Sequence, residues 1–246
     1  MNEKYKEMVR LLDERLRIGE SFDIIRRQMR IASGSSDAIL YYIDGFVKDE
    51  ITEKLMEFFL KAPDIQEVNI NFPYTEVDRT QNVEQMITML LSGATVMVID
   101  GLDDALIIDT RQYPTRGLQE PENDRVLRGP RDGFSETLIF NTALIRRRIR
   151  DPNLTMSIRS IGTMTKTDVV LCYIKGRASD QYVKAVSDKL DQIKIKALNL
   201  GQESLAELLI HSRWYNPFPK IRYTERPDAA AAMLFEGSIM ILCDNT

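Results

Sequence analysis

The sequence predicts an α/β protein made of two similar small subdomains, each a sheet covered by helices. A Pro/Gly linker and a long helix join the subdomains, and helices precede them. Three observations lead to this fold class. Short apolar runs typical of buried strands alternate with stretches of helical periodicity. Two segments occur twice in the same order. Between the copies, residues 113–133 contain prolines and glycines that interrupt regular structure.

The composition excludes several classes of protein. The chain has 246 residues, of which 43% are hydrophobic, and a formal net charge of −4. This suffices for the core of one large or two small domains, and the acidic balance predicts no nucleic-acid partner. The polar N-terminus is no signal peptide, and no apolar run approaches the roughly 20 residues that cross a bilayer, so a soluble chain is predicted. The two cysteines, Cys172 and Cys243, lie in apolar runs, which predicts buried thiols in a reducing compartment.

Residues 1–33 are predicted to form two helices. In the first, over residues 2–18, apolar side chains recur at helical spacing: Tyr5, Met8, Leu12 and Leu16. The second is predicted to begin at Ser21 and to carry Phe22, Ile25 and Met29 on one side. The run Gly34-Ser35-Ser36 ends it.

Residues 34–112 form the first predicted subdomain. Buried strands are predicted at 38–43, 95–99 and 105–108, and an exposed strand at 65–72. One helix begins at Asp49 and is closed by Pro63. Another begins at Asn82, which forms a capping box with Gln85, and ends at Gly93.

Residues 113–133 are the predicted linker and 134–246 the second subdomain. A helix from Asp132 carries Leu138, Thr142, Ile145 and Ile149 on one face. Strands are predicted at 154–161, 168–174 and 238–243, and residues 214–219 form a rigid aromatic loop. Three further helices begin after Ser179, after Gly201 and at Pro227; the first carries Tyr182, Val186, Leu190 and Ile193.

The internal repeat consists of two segment pairs. DAILYYIDGFVKDEI from Asp37 matches DVVLCYIKGRASDQY from Asp168, 131 residues later. SGATVMVIDG from Ser92 matches EGSIMILCDN from Glu236, 144 residues later. Each copy is predicted to run strand, helix, irregular segment, helix, Gly, strand, Asp. The first copy continues into strand 105–108, whereas the second stops before its counterpart. We therefore expect the C-terminal edge of the second subdomain to be truncated.

Candidate catalytic groups are few. The only histidine is His211, and HExxH, paired CxxC, Walker A and GxSxG motifs are absent. Four aspartates around a turn could hold a cation, but turn chemistry explains them better: Asp100, Asp103, Asp104 and Asp109. The sequence therefore predicts no enzyme, no metal site and no cofactor.

Charged motifs give the candidate contact residues. The run from Arg128 to Gly133 opens a helix and could bind phosphate or carboxylate, but bridging of the two subdomains is favoured. The run 146–150 could be a solvated helix face or could meet anionic lipid or an acidic subunit. In residues 224–228, Pro227 and Asp228 suit a helix start. Candidate interdomain or partner-binding residues are Arg128, Arg131, Asp132, Glu136, Asn141, Arg146, Arg147, Arg148, Glu225, Arg226 and Asp228.

Two long segments carry a family resemblance. QEPENDRVLRGPRDGFSETLIFNTALIRRRIRDPNL and NPFPKIRYTERPDAAAAMLFEG resemble the GerA-type spore germinant receptor A subunits, and the resemblance covers the chain from about Ser33 onward. It implies the hydrophilic N-terminal region of a polytopic membrane protein, on the cytosolic (core) side of the spore inner membrane. The membrane-spanning part would follow Thr246. Implied partners are other membrane subunits of a germination complex, with a homo-oligomer as the full-length form.

The leading hypothesis is a non-enzymatic coupling and assembly domain. The resemblance implies complexes that act in germinant sensing and in release of ions or dipicolinic acid, and it transfers no catalytic residue. The alternative is a small-molecule binding module, with a germinant-like ligand between the two lobes. Its candidate contacts are Arg128, Arg131 and Glu225. Nothing in the sequence supports a hydrolase or a transferase.

Overall fold

The structure is a computed structural model with two compact units, and each unit contains its own antiparallel sheet. Unit 1 comprises Met1–Pro114 with Arg150–Pro152, and unit 2 comprises Thr115–Ile149 with Asn153–Thr246. The predicted α/β class is confirmed. The residues that the structure describes are 2–31, 34, 36–47, 49–65, 77–113, 130, 132–198, 201–210 and 220–245.

Three predicted features lie outside these residues: the strand at 65–72 beyond Ile65, the loop at 214–219 and most of the linker at 113–133. The three boundaries between the four segments proposed from the sequence stay predictions.

Unit 1 is a five-stranded sheet with helices on both faces. The strand order is β1-β2-β4-β5-β3, and every neighbouring pair is antiparallel. Leu40 of the second strand packs in a core with Leu55 and Phe59 of the second helix, while its neighbour Tyr41 bonds to the first helix from the opposite face. The elements are α1 (Glu3–Leu16), β1 (Ile24–Ile31), β2 (Ser36–Ile43), α2 (Asp49–Lys61), β3 (Val77–Thr80), α3 (Val83–Leu91), β4 (Thr95–Ile99) and β5 (Ala105–Ile108).

The predicted second helix over residues 21–33 is wrong, because Ile24–Ile31 is strand β1. The spacing of Phe22, Ile25 and Met29 fits a helix, yet β1 pairs with β2 along its whole length, from Ile24 opposite Ile43 to Ile31 opposite Ser36. Only the two terminal isoleucines of β1 are fully buried. At this edge strand, the backbone hydrogen bonds to β2 outweigh the helical spacing of the apolar side chains.

Tyr41 offers a test of the packing of α1 on the sheet. The side chain is 0% exposed, and its hydroxyl donates to Oδ1 of Asp13 at 2.7 Å. Tyr41→Phe is expected to lower the free energy of unfolding by about 1 kcal/mol, because the half-buried carboxylate of Asp13 loses one of its donors. Urea denaturation measures this loss. Tyr182→Phe is the control, since Tyr182 is 71% exposed. Equal stability of both variants would contradict the structural role of this hydrogen bond.

Unit 2 is a three-stranded antiparallel sheet in the order β6-β7-β8. One face of this sheet packs on the helices Asp180–Gln192 and Gln202–Leu209. The contact is made by Val169, Leu171, Leu190, Leu205 and Leu209. Cys172 and Cys243 are buried, and neither forms a disulfide in the part of the chain that the structure describes, which confirms the predicted buried thiols. The elements are α4 (Leu138–Arg148), β6 (Leu154–Ile161), β7 (Thr167–Ile174), α5 (Asp180–Gln192), α6 (Gln202–Leu209), α7 (Pro227–Phe235) and β8 (Met240–Cys243).

Two predictions for unit 2 helices need correction. Helix α4 begins at Leu138 and not at Asp132, because the residues between them bond to other parts of unit 2. Tyr182 does not belong to the buried face of α5, because it is 71% exposed. The predicted apolar face of α4 is confirmed, since Leu138, Thr142, Ile145 and Ile149 are all buried.

The repeated segments occupy equivalent positions in the two sheets. Ala38 faces Ile99 in unit 1, and their counterparts Val169 and Cys243 face each other in unit 2. Beyond each pair, the N–H of Asp100 donates to the carbonyl of Asp37 at 2.8 Å, and that of Asp244 to the carbonyl of Asp168 at 2.9 Å. Helices α2 and α5 have the same bounds after a shift of 131 residues, and α3 and α7 after a shift of 144. The two copies therefore share the pairing register of their strands as well as their sequence.

Candidate interaction site

Three segments of unit 2 meet at the N-terminal end of α4. The N–H of Phe134 donates to the carbonyl of Glu225, and the N–H of Asn245 to the carbonyl of Glu136, both at 2.9 Å. The N–H of Leu138 donates to Oδ1 of Asp244 at 3.0 Å. We call residues 132–138, 224–228 and 244–245 the motif cluster. It brings together two motifs that lie about ninety residues apart in the chain.

Asn141 shapes the first segment of the motif cluster. It is 3% exposed, and its side-chain amide donates to the carbonyl of Ser135 at 2.6 Å while its Oδ1 accepts from the N–H of Ser135 at 2.7 Å. Thr137, the residue before α4, makes no side-chain cap bond. Asp244 supplies a carboxylate at that helix end, where negative charge is favoured. Asn141 therefore has a positioning role, which its sequence motif did not indicate.

Asp132 pairs with Arg148 inside unit 2. Nη2 of Arg148 donates to Oδ1 of Asp132 at 2.6 Å and also bonds to Oδ2, while Nη1 donates to the carbonyl of Leu144 at 3.2 Å. One arginine nitrogen thus contacts both carboxylate oxygens in a charge-assisted pair. It ties the start of the motif cluster to the last turn of α4. Arg128 and Arg131 lie outside the described residues, so the predicted bridging stays a prediction.

Arg226 and Asp228 form a forked pair, in which two arginine nitrogens each donate to one carboxylate oxygen. Nε of Arg226 donates to Oδ1 of Asp228 at 3.1 Å and Nη2 to Oδ2 at 2.5 Å. The N–H of Arg226 also donates to Oγ1 of Thr224 at 3.2 Å. These bonds set the entry into α7, whose first turn holds Pro227 as predicted. The hydrogen bond from Arg226 holds the pKa of Asp228 below its ordinary value.

The pair predicts a pH-dependent stability. Because the folded pKa of Asp228 is depressed below 3.8, its contribution is present at neutral pH and is lost as the pH falls through the folded value. Asp228→Asn is expected to cost about 1 kcal/mol at pH 7, since the pair is partly exposed, and less at pH 2, where more of the carboxyl group is protonated. Urea denaturation at both pH values measures the difference. Asp188→Asn, at an exposed position of α5, is the control. A loss that is equal at both pH values would contradict the electrostatic origin.

The basic run at the end of α4 is not a uniformly solvated face. Arg146 is 0% exposed, and its Nη2 donates to the carbonyl of Leu154 at 3.0 Å. Arg147 is exposed, and Arg148 is half-buried in its pair with Asp132. The prediction of a solvated face is therefore wrong for Arg146. Its spacing of four residues from Thr142 on the apolar face was the signal for burial.

One aromatic and two charged side chains form an exposed stripe on α4 and on the segment just before it. Glu136 and Arg147 are exposed, and Phe140 is 47% exposed. Phe140 was not among the contact residues predicted from the sequence, because it lies outside the charged motifs that indicated them. The sequence signal for its exposure was that Phe140 does not belong to the predicted apolar face of α4. We call Glu136, Phe140 and Arg147 the α4 stripe.

The four aspartates of the unit 1 turn have separate partners. Oδ1 of Asp100 accepts the N–H of Asn2 at 2.7 Å, Asp103 pairs with Lys4 at 3.1 Å, and Asp104 accepts from Gln81 at 2.7 Å. Asp109 forms a forked pair with Arg111, whose hydrogen bond lowers the pKa of Asp109. Within the described residues, no group of three His, Cys, Asp or Glu side chains could hold a metal ion.

Comparison with known proteins identifies the family. The sequence profile of the "Bacillus/Clostridium GerA spore germination protein" family matches residues 12–246. The chain belongs to the GerA family. Stage V sporulation protein AF of Bacillus subtilis (strain 168) is 33% identical over 240 residues, 94% of this chain and 48% of the relative. Spore germination protein KA of the same strain is 32% identical over 240 residues, 93% of this chain and 43% of the relative.

A solved structure matches this GerA-family chain along most of its length. The crystal structure of the N-terminal domain of the A subunit of the Bacillus megaterium spore germinant receptor GerK3 is 28% identical, with a TM-score of 0.66. The match covers 97% of this chain and 90% of that domain. The family resemblance inferred from the motifs is confirmed. The chain spans about half the length of the curated relatives it matches. None of the helices in the described residues has the length and apolar character needed to cross a membrane.

Proposed function

We propose that this GerA-family chain is a non-enzymatic coupling and assembly domain of a complex that releases ions or dipicolinate during spore germination. The domain would stand on the cytosolic (core) side of the spore inner membrane, next to other membrane subunits and further copies of itself. Support comes from the family, whose members include spore germination proteins, and from a solved relative that is part of a receptor A subunit.

The α4 stripe is the observation on which the proposal rests. An exposed aromatic side chain flanked by opposite charges has the composition of a protein contact surface, where aromatic residues and arginine carry most of the binding energy. The stripe lies on a helix whose two ends are held by Asp244 and by the Asp132–Arg148 pair. A firmly held helix loses little conformational freedom on binding, which favours affinity.

Assembly of the full-length protein in spores tests this function. Phe140→Ala and Arg147→Ala are expected to reduce co-purification of partner subunits from solubilised spore membranes by roughly 10-fold or more, since loss of an interface anchor costs about 2 kcal/mol. Both residues are exposed, so their variants are expected to keep the parent's thermal stability. Lys184→Ala, on the exposed side of α5, is the control. Variants that assemble and germinate like the parent would refute the role of the stripe.

The small-molecule alternative also stays a prediction. Of its candidate contacts, Glu225 is half-buried in the motif cluster, and Arg128 and Arg131 lie outside the described residues. Isothermal titration of the 246-residue chain with amino acids, sugars, nucleosides and dipicolinate tests it. A saturable heat that Glu225→Ala abolishes would favour the binding module, and flat titrations would exclude those ligand classes.

A further inference from the structure

The loop between β6 and β7 of unit 2 presents an apolar side chain to solvent. Met164 is 77% exposed, more than any other large apolar side chain among the described residues. Its neighbours Thr163, Thr165 and Lys166 are exposed as well. A single exposed apolar residue is common on protein surfaces. What distinguishes Met164 is how its backbone is held and which charges lie beside it.

The backbone of this loop is bonded to the extended segment that follows α5. The N–H of Thr163 donates to the carbonyl of Ile195 at 3.0 Å, and the N–H of Met164 donates to the carbonyl of Lys196 at 2.8 Å. Ile195 itself packs against the hydrophobic core of unit 2. Met164 is therefore tied to a segment that is anchored in the core, and its side chain is held in solvent.

Three lysines lie on the same two segments. In the run Ile193-Lys194-Ile195-Lys196, the isoleucines pack against the core of unit 2 and the lysines are exposed. Alternation along an extended backbone thus places both lysines on the side away from the core. Together with Lys166, they give residues 162–166 and 193–198 three lysines and no carboxylate. We call these two segments the basic tip.

Two carboxylates lie close to the basic tip in the sequence. Asp191 pairs with Arg159, whose Nε donates to its Oδ1 at 2.7 Å. Asp168, on β7, is exposed and offsets one of the three positive charges. The basic tip therefore keeps a local excess of positive charge, although the whole chain has a formal net charge of −4.

The equivalent loop of unit 1 has a different composition. Strands β1 and β2 pair in the same register as β6 and β7. The residues that connect them are ASGS at 32–35, whereas unit 2 has GTMTK at 162–166. The repeated fold can therefore be built without the methionine and the lysine, which points to a role for them outside the fold.

We propose that the basic tip docks on the surface of an anionic lipid bilayer, with Met164 inserted among the headgroups and the lysines close to the lipid phosphates. Lysines near an anionic leaflet are attracted to it, and an apolar side chain among them adds burial. A protein partner fits less well, because protein interfaces are depleted in lysine and enriched in aromatic residues and arginine.

This docking rests on the proposed function only for the position of the domain beside a membrane. A chain that is already attached to a membrane needs only a weak further contact, because attachment raises the local concentration of the bilayer. The contact would fix the orientation of unit 2 relative to the lipid surface.

Co-sedimentation of the 246-residue chain with lipid vesicles tests the docking. Binding is expected to vesicles of equal parts phosphatidylglycerol and phosphatidylcholine, to weaken as salt is added, and to be much weaker with phosphatidylcholine alone. Lys194→Ser/Lys196→Ser is expected to bind roughly 25-fold more weakly, since each lysine near the surface contributes about fivefold. Met164→Ser is expected to bind roughly tenfold more weakly, since it buries less apolar surface.

Two control variants accompany these measurements. Lys175→Ser/Lys184→Ser removes the same charge from exposed positions outside the basic tip and is expected to bind like the parent. Phe140→Ala is also expected to bind vesicles like the parent, so that the docking and the assembly role of the α4 stripe can fail separately. All of these residues are exposed, and the variants are expected to keep the parent's melting temperature.

Three outcomes would overturn the proposal. The first is equal vesicle binding by the parent and the variants of the basic tip. The second is an equal loss of binding in the double-lysine control, because net charge alone would then account for it. The third is binding of the parent to soluble polyglutamate without binding to vesicles, because an acidic protein would then be the better partner.

Discussion

Replacement of Arg146 by alanine is expected to lower the free energy of unfolding by about 3 kcal/mol. Among the described residues its side chain is the largest that is fully buried, and its guanidinium donates to the carbonyl of Leu154 at the start of β6. Alanine leaves a cavity where the long side chain packed and removes a donor from a buried carbonyl. Both effects lower the stability of the contact between α4 and β6.

Two further variants separate these effects. Arg147→Ala, one residue along the same basic run, is expected to change stability by less than about 0.5 kcal/mol because Arg147 is exposed. Arg146→Met keeps most of the volume without the donor, and is expected to cost about 1–2 kcal/mol. Urea denaturation followed by circular dichroism measures all three. A loss for Arg146→Ala as small as the one expected for Arg147→Ala would contradict the burial of Arg146.

Replacement of Gly237 by alanine is expected to cost about 3 kcal/mol, from backbone strain and from a clash. Gly237 follows α7 with φ of +89°, in the left-handed region. A Cβ atom there would lie 2.7 Å from the backbone carbonyl oxygen of Arg177, which cannot move as freely as a side chain. The N–H of Gly237 donates to the carbonyl of Leu234 at 3.0 Å and helps to end the helix.

Gly176→Ala is the matched control for this prediction. Gly176 has φ of +83°, but a Cβ atom at that position would meet no atom within 4 Å. It is therefore expected to cost only about 1 kcal/mol, which is the backbone strain alone. Thermal denaturation of the two variants isolates the clash. Equal losses would mean that the approach of Arg177 to Gly237 contributes nothing.

The two glycines also show what the repeat preserves. Gly176 corresponds to Gly45 and Gly237 to Gly93, and all four have positive φ. A Cβ atom at Gly93 would lie 3.0 Å from the ring of Phe46, so both repeats place tight packing at the glycine before the second repeated strand. The spacing of these glycines in the sequence indicated the repeat, and their backbone angles supply its physical reason.

Much of the architecture was predictable from local patterns. The helix Pro227–Phe235 has the predicted bounds, and Tyr5, Met8, Leu12 and Leu16 form the predicted buried face of α1. These elements combine a strong start or stop signal with clear periodicity, so that local and tertiary preferences agree. The repeat was predictable for the same reason, because strands with the same sequence pattern pair in the same register with equivalent strands.

The candidate site was predicted less completely. Charged motifs identified Asp132, Arg148, Arg226 and Asp228, which form its two arginine–aspartate pairs. The exposure of Phe140 and the capping of α4 by Asp244 were not predicted. A capping group 106 residues away cannot be recognised from the sequence around the helix.

The sequence by itself determined the family, the α/β class, most helix and strand positions and the repeat, because each depends on residues that are close in the chain or on motifs long enough to be specific. Tertiary structure alone decided that Ile24–Ile31 is a strand, that α4 begins at Leu138, and that Arg146 is buried although the next two arginines are exposed or half-buried. In each case a partner distant in sequence, or a folded neighbour that excludes water, outweighs a local preference worth only a fraction of a kcal/mol per residue.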